Sequence, residues 1–252
     1  MPAKSRTDIN KERGHLVVKR NDLIQKSRHQ LSLQEQKIML YLISRIKPDD
    51  ANFMEQVFTI QEFCRFCGMD ETNGKNYSDI KDAIGKLLSR FIWVKQDDGS
   101  ETSLRWIDKA TINKFSGIIR LKLDEGLKPF LLLLTDHYTI CEIRHILAMT
   151  SKYSIRLYEL LRSYVYKGHV TFDIAELKRL LDAENYKLNG HFKVEVLDTA
   201  LPEINKYTDI TITYSFRKEG RRYSHVCFDV GRKETFDRFV AGHDVNQAID
   251  SR

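Results

Sequence analysis

The sequence predicts an α+β chain built as two tandem winged helix-turn-helix domains, and three observations predict it. Its 252 residues exceed one ordinary domain of about 100–200 residues, and 4 Pro with 12 Gly leave little room for a long linker. Helix and strand signals follow the order helix, short strand, helix, helix, strand, turn, strand, which is the order of a winged helix. That order then recurs with matching landmarks: Phe58-x-Ile60-x-x-Phe63 against Phe172-x-Ile174-x-x-Leu177, and Ile38-x-x-Tyr41 against Ile155-x-x-Tyr158. The boundary is expected between Leu134 and Cys141, giving domains 1–136 and 137–252.

The first helix opens at Ser32, three residues before Glu35, the spacing of a capping box that satisfies orphan N–H groups at a helix start. Met39, Leu42, Ile43 and Ile46 then fall on one helical face, and Lys47-Pro48 supplies the stop. Gln56–Thr59 reads as extended, and a short helix from Gln61 to Cys67 is ended by Gly68. The third helix, Tyr77 to Arg90, gathers Tyr77, Ile80, Ala83, Ile84, Leu87 and Leu88 on one side. Asp82, Gly85, Lys86 and Ser89 lie opposite, with Lys81 and Arg90 at the margins. Strands follow at 91–95 and 102–113 around a turn at 96–100, then a turn at 114–117 and a strand at 118–123. The hairpin after the third helix is expected to be the wing.

The second copy predicts a helix from Ser151 to Tyr166, a strand at 169–172, a helix from Asp173 to Leu181 and a reading helix from about His191. Strands 210–216 and 223–230 flank the turn Arg217-Lys-Glu-Gly-Arg-Arg222. Pro202 lies inside the reading helix and predicts a bend or an end near Ala200, because proline removes a backbone donor.

Charge narrows the partner. The chain holds 41 Lys/Arg against 35 Asp/Glu, with a pI near 9.0. The excess is concentrated in residues 1–30 and 206–233. Basic concentrations beside charge-balanced segments favour a polyanion, and Arg217, Lys218, Arg221 and Arg222 on one hairpin suit phosphate neutralisation. With 42% hydrophobic and 30% charged residues, no membrane-length apolar run and no secretory leader, a cytoplasmic globular protein is expected.

Catalytic signatures are missing from the sequence. There is no phosphate-binding G-x-x-x-x-G-K-[ST] loop, no G-x-S-x-G, no H-E-x-x-H and no H-x-H. Cys64-Arg-Phe-Cys67, with Cys141 and His145 as the remaining candidates, reads as reduced thiols rather than a zinc site. No enzyme activity, cofactor or metal is expected.

Val17-Val-Lys-Arg-Asn-Asp-Leu-Ile24, Leu31 to Ile38, Ser151-Lys-Tyr-Ser-Ile-Arg-Leu-Tyr-Glu-Leu-Leu161, and Phe192 to Asn205 followed by Thr208-Asp209 resemble the iteron-type plasmid replication initiators, over about residues 15–231. The resemblance implies sequence-specific binding of double-stranded DNA at directly repeated origin sites, and a homodimer in equilibrium with monomer that represses its own promoter. It also implies recruitment of a host initiator and replicative helicase. Carried onto this chain, the second reading helix would start near His191 with Lys193 at its N-terminal end, where the family often has further basic residues and this chain has Val194 and Glu195. Glu195, Asp198, Thr199 and Asn205 would occupy its free face, where carboxylates can accept from cytosine N4. In the first domain Lys75, Asn76, Lys81, Lys86 and Arg90 would meet DNA, with Lys19 and Arg20 as a basic arm, and Lys152 and Lys206 complete the expected set. Dimer pairing is expected at strand edges around 104–111 or 118–121. Three rivals stay open: a winged-helix transcriptional repressor of palindromic sites, a rolling-circle nickase, and a protein adaptor.

Overall fold

The computed structural model describes residues 16–47, 50–67 and 69–233. The stops expected at Pro48 and Gly68, the basic residues before 16 and the tail after 233 lie outside the described residues. The chain enters through β1 (Leu16–Arg20), α1 (Asn21–Gln25) and β2 (Ser27–His29). A first unit follows: α2 (Leu33–Ile43), β3 (Gln56–Thr59), α3 (Ile60–Cys67), α4 (Asn76–Leu88), β4 (Phe91–Lys95), β5 (Glu101–Arg105), β6 (Ile107–Asn113) and β7 (Ile118–Leu123). The connector holds α5 (Lys128–Leu131), β8 (Tyr138–Glu142) and α6 (Ile143–Leu147). The second unit has α7 (Lys152–Arg162), β9 (His169–Asp173) and α8 (Ile174–Leu180). Its third helix, α9, runs through Asn189–Phe192, Lys193–Leu197 and Asp198–Tyr207, before β10 (Ile210–Glu219) and β11 (Arg222–Arg232).

Local chemistry starts the helices where expected. Ser32 Oγ accepts the Glu35 N–H at 3.3 Å while Glu35 Oε2 accepts the Ser32 N–H at 2.6 Å, so α2 begins on a complete capping box. The same reciprocal pair recurs at α3, between Thr59 and Glu62, at 3.0 and 2.7 Å.

Sheet pairing defines the two winged units and moves the first wing. One sheet has the order β3-β7-β6 and another β9-β11-β10, so in both units the strand before the helix pair bonds to the last strand, which bonds to the middle one. The wing of the first unit is therefore the β6–β7 hairpin with its tip at 114–117, not the β4–β5 hairpin around 96–100, which pairs with β2 in a sheet of its own. The single strand expected over 102–113 breaks at Trp106. Its side chain, 2% exposed, turns into the core, and the chain passes from the β4–β5 pairing to the β6–β7 pairing. Strand β7 is bonded on both sides, so the dimer edge expected at 118–121 is occupied; β5 and β6, which cover 104–111, are edge strands of their sheets, as are β2 and β3.

The boundary placed between 136 and 137 cuts through a paired unit. Strand β8 lies antiparallel to β1, with Val17 opposite Cys141 and Lys19 opposite Thr139. The entry segment is further clamped to α7. Arg156, 3% exposed, donates from Nη2 to the carbonyls of Ile24 and Ser27, both at 2.8 Å, and from Nε to that of Leu180 at 3.1 Å. Lys19 Nζ meets Glu159 Oε1 at 2.6 Å, with the side chains 7% and 4% exposed.

One contiguous cluster of buried apolar side chains runs through both units. The repeated landmarks sit at its centre: Tyr41 packs edge-on against Phe58, Phe63 and Phe66, and Phe172 packs edge-on against Tyr164 and Phe228. A fully buried ring such as Tyr41 or Phe228 contributes about 1.5–3 kcal/mol through the area it removes from water.

Candidate nucleic-acid interface

Helix α4 buries Ile80, Ala83, Ile84 and Leu87 and leaves the opposite side to solvent. Lys81, Asp82, Gly85, Lys86, Ser89 and Arg90 line a shallow groove of about 500 Å³ along that side. Lys75, Lys81 and Lys86 are exposed and form no ion pair among the described residues. Arg90 Nε stands 3.7 Å from the buried Glu35 carboxylate, within ion-pair distance and beyond hydrogen-bond reach. Asn76 is a correction. It is 5% exposed, and its Nδ2 donates to the Asp70 carbonyl at 2.6 Å, which fixes the loop entering α4 and turns the side chain inward, away from the exposed face.

In the second unit His191, Lys193, Glu195, Asp198 and Thr199 are exposed along α9, whose buried side holds Phe192, Val196, Leu197, Ala200 and Ile204. Lys193 Nζ is 2.6 Å from Asp198 Oδ2, and Tyr214 Oη donates to Asp198 Oδ1 at 2.5 Å. Those two bonds hold the Asp198 carboxyl below the usual carboxylate range. Asn205 does not belong to the free face: its amide bonds both the carbonyl and the N–H of Ile212, at 2.9 and 2.7 Å, stapling α9 to β10. Nor does Pro202 end the helix. A widened π turn over Lys193–Leu197 lies just before the segment that contains the proline, and the helix continues to Tyr207.

The paired part of the second wing is longer than expected. Strands β10 and β11 stay paired to Glu219 and Arg222, so the turn shrinks to Gly220 and Arg221, with Gly220 at φ 62°, a backbone state glycine reaches without strain. Arg217, Lys218, Arg221 and Arg222 are all exposed, and Lys218 Nζ sits 4.9 Å above the Tyr223 ring. The first wing carries Lys114 and a fully exposed Phe115. Asn113 Oδ1 accepts the N–H groups of Phe115 and Ser116 at 2.9 and 3.1 Å and fixes the tip. No local sequence signal singles out Lys114 and Phe115, because only the β6–β7 pairing makes their turn a wing tip.

Other expected contacts are engaged within the fold. Lys19 is buried against Glu159 and cannot track a DNA backbone. Arg20 Nε bonds Asp22 at 2.9 Å and Lys152 Nζ bonds Asp182 at 2.8 Å, both half-buried. Lys206 is exposed and lies over the Tyr207 ring. Cys64 is buried, which pushes its thiol up to about 11, and burial raises Cys141 further still. Among the described residues no three His, Cys, Asp or Glu side chains come together as a metal set.

The geometry can be set beside known proteins. A family model described as Initiator Replication protein, WH1, matches residues 16–162, and one described as Initiator Rep protein, WH2, matches residues 173–230. The PI protein of Escherichia coli is 26% identical over 166 residues, covering 58% of this chain and 54% of that protein. A replication initiation protein of Escherichia coli is 24% identical over 228 residues, 85% of this chain and 69% of that protein. The chain thus spans about half the length of the first relative and 69% of the second. Among solved structures, a Pi initiator protein in complex with iteron DNA has the same fold: TM-score 0.72 at 21% identity, over 88% of this chain and 99% of that one.

Proposed function

The chain belongs to the initiator replication protein family, and from that premise we propose that it starts plasmid replication by binding iteron DNA as a double-stranded ligand through both winged helices. The observation that carries this reading is the repeated unit itself. Two copies of one sheet order each present a helix with an exposed polar face beside a hairpin wing. Helices α4 and α9 are the readers, entering successive major-groove segments, and the wings hold phosphate. If all four cations of the second wing neutralise phosphate, they alone give a salt slope of about −3.6, at about −0.9 per contact.

Lys193 is bound to Asp198 in the free protein, so a base contact from Lys193 requires that pair to open. Binding therefore exchanges an internal ion pair for a contact with a base edge, which favours sequence over bare charge. In this reading the protein is a binding module and no catalyst, and works in the cytoplasm. Among the described residues no helix is long and apolar enough to cross a membrane. Unwinding falls to a host initiator and helicase that the bound protein recruits. The open edges of β5 and β6 are the surfaces through which two copies would pair as the dimer that represses its own gene.

The test is footprinting on DNA flanking the gene, at fixed near-physiological salt, with monomer and dimer fractions separated by size. Protection of several equally spaced direct repeats by monomer is expected. Protection of an inverted repeat by dimer alone would replace the reading with a repressor.

A further inference from the structure

The two helices beside the wings offer different chemistry to solvent. The groove side of α4 is lined by Lys81, Asp82, Lys86, Ser89 and Arg90 around Gly85, with no apolar side chain among them. On the free side of α9, between the exposed charges of Lys193 and Glu195, stands Val194, 57% exposed, while Val196 and Leu197 just beyond it are buried. A single exposed valine is ordinary on a protein surface. What singles this one out is its setting.

The polar groups around Val194 are spent on one another. Lys193 Nζ holds Asp198 Oδ2 at 2.6 Å, and Tyr214 Oη takes the other oxygen of the same carboxylate. The Thr199 hydroxyl donates to the Val194 carbonyl at 3.2 Å. Glu195 is left over, exposed and without an ion pair among the described residues, and its carboxylate can only accept. The backbone adds a second mark. Val194 lies in the π turn, where the Asp198 N–H reaches back five residues to the Lys193 carbonyl, and such turns recur where helices make functional contacts.

In the major groove of B-DNA the C5 methyl of thymine is the apolar group that a base edge displays, and a small aliphatic group is what contacts it. Guanine instead presents two acceptors, which the Glu195 carboxylate repels and which Lys193 meets only after leaving Asp198. Val194 needs no such rearrangement, since the free protein already presents it. A contact between its methyl groups and that of thymine displaces water without displacing counterions, so its strength does not follow salt as a phosphate contact does.

We propose that Val194 is a specificity-determining residue of α9, reading one thymine of the repeat through its C5 methyl. The proposal rests on the reading that α9 enters the major groove, and the experiment separates the two. The probe is a duplex carrying one repeat protected in the footprint, with deoxyuridine in place of each thymine in turn, a change that removes the methyl and nothing else. The full chain is expected to bind one of these duplexes about fourfold more weakly than the parent, the worth of one buried methyl group. That ratio should hold from about 50 to about 200 mM salt, while both affinities fall. Two variants assign the contact, because serine and threonine differ by a single methyl. Val194→Ser should bind the parent and that uracil duplex alike, and Val194→Thr should restore the difference. If no uracil duplex is weakened, no methyl is read, and the proposal is overturned with the duplex reading left standing. A penalty that persists in full in Val194→Ser gives the methyl to another residue and overturns it as well. If the parent duplex itself does not bind, the reading of α9 fails first and the proposal fails with it.

Discussion

Replacing Lys19 with Met separates two roles that the sequence left together, because the side chain that resembles a basic DNA-tracking arm is buried in an ion pair. Its Nζ lies 2.6 Å from Glu159, with only 7% and 4% of the two side chains exposed. Lys19→Met leaves the Glu159 carboxylate buried without its partner, and breaking a buried pair from one side costs about 3–5 kcal/mol. The double variant Lys19→Met/Glu159→Leu removes both charges and is expected to recover most of that loss, since a well-packed apolar pair is often neutral or better. Urea unfolding followed by circular dichroism measures the three variants, with the shift read in the midpoint at unchanged slope. A salt titration on duplex DNA gives the second readout, and its slope should match that of wild type. If instead the slope fell by about 0.9, the mark of one lost phosphate contact, while stability changed by less than about 1 kcal/mol, the buried-pair assignment would be refuted.

Three further outcomes are expected. Replacing Arg221 and Arg222 with Ala should weaken binding alike on cognate and random duplex and lower the salt slope by about 1.8; an unchanged slope removes the second wing from the interface. Gly85 lies mid-helix on the free face of α4 with no protein atom within 4 Å of where a Cβ would stand, so Gly85→Ala should stabilise the fold by up to about 1 kcal/mol. The same variant should lose affinity for the repeat if DNA approaches the helix backbone there, and equal affinity would take that approach away. Burial lowers the pKa of His29 and of His145, the latter against the opposing pull of Asp209 and Glu142. Both imidazoles protonate more readily in the unfolded chain, near pH 6.5. Stability is therefore full above that pH and should fall as pH drops below it, by up to about 1.4 kcal/mol per pH unit for each histidine. Urea midpoints from pH 7.5 to pH 5 check this, and His29→Gln should flatten the profile.

What could be read from sequence was what neighbouring residues decide. Ser32 and Glu35 are three apart, and the box they form depends on nothing else; the strand at 91–95 and the cationic hairpin near 217–222 follow from local pattern in the same way. The misses share a different cause. The first wing was misplaced because β3 finds its partner in β7, some sixty residues on, and no local signal favours the 114–117 turn over the 96–100 turn. Lys19 read as a free cation because its neutralising carboxylate arrives from α7, and Asn205 read as a surface residue because a helical wheel contains no β10. Asn76 sits at the start of α4 like a DNA contact but serves the loop before it.

Under the proposed function, two reading helices of one chain address one repeat. Methylation interference on a single iteron, with wild type, Lys81→Ala/Lys86→Ala and Lys193→Ala, tests it most directly. The account predicts two patches of interference about one helical turn apart, the first weakened by the α4 double variant and the second by the α9 variant, each without the other. One patch only, or two patches that respond together to either variant, would contradict it.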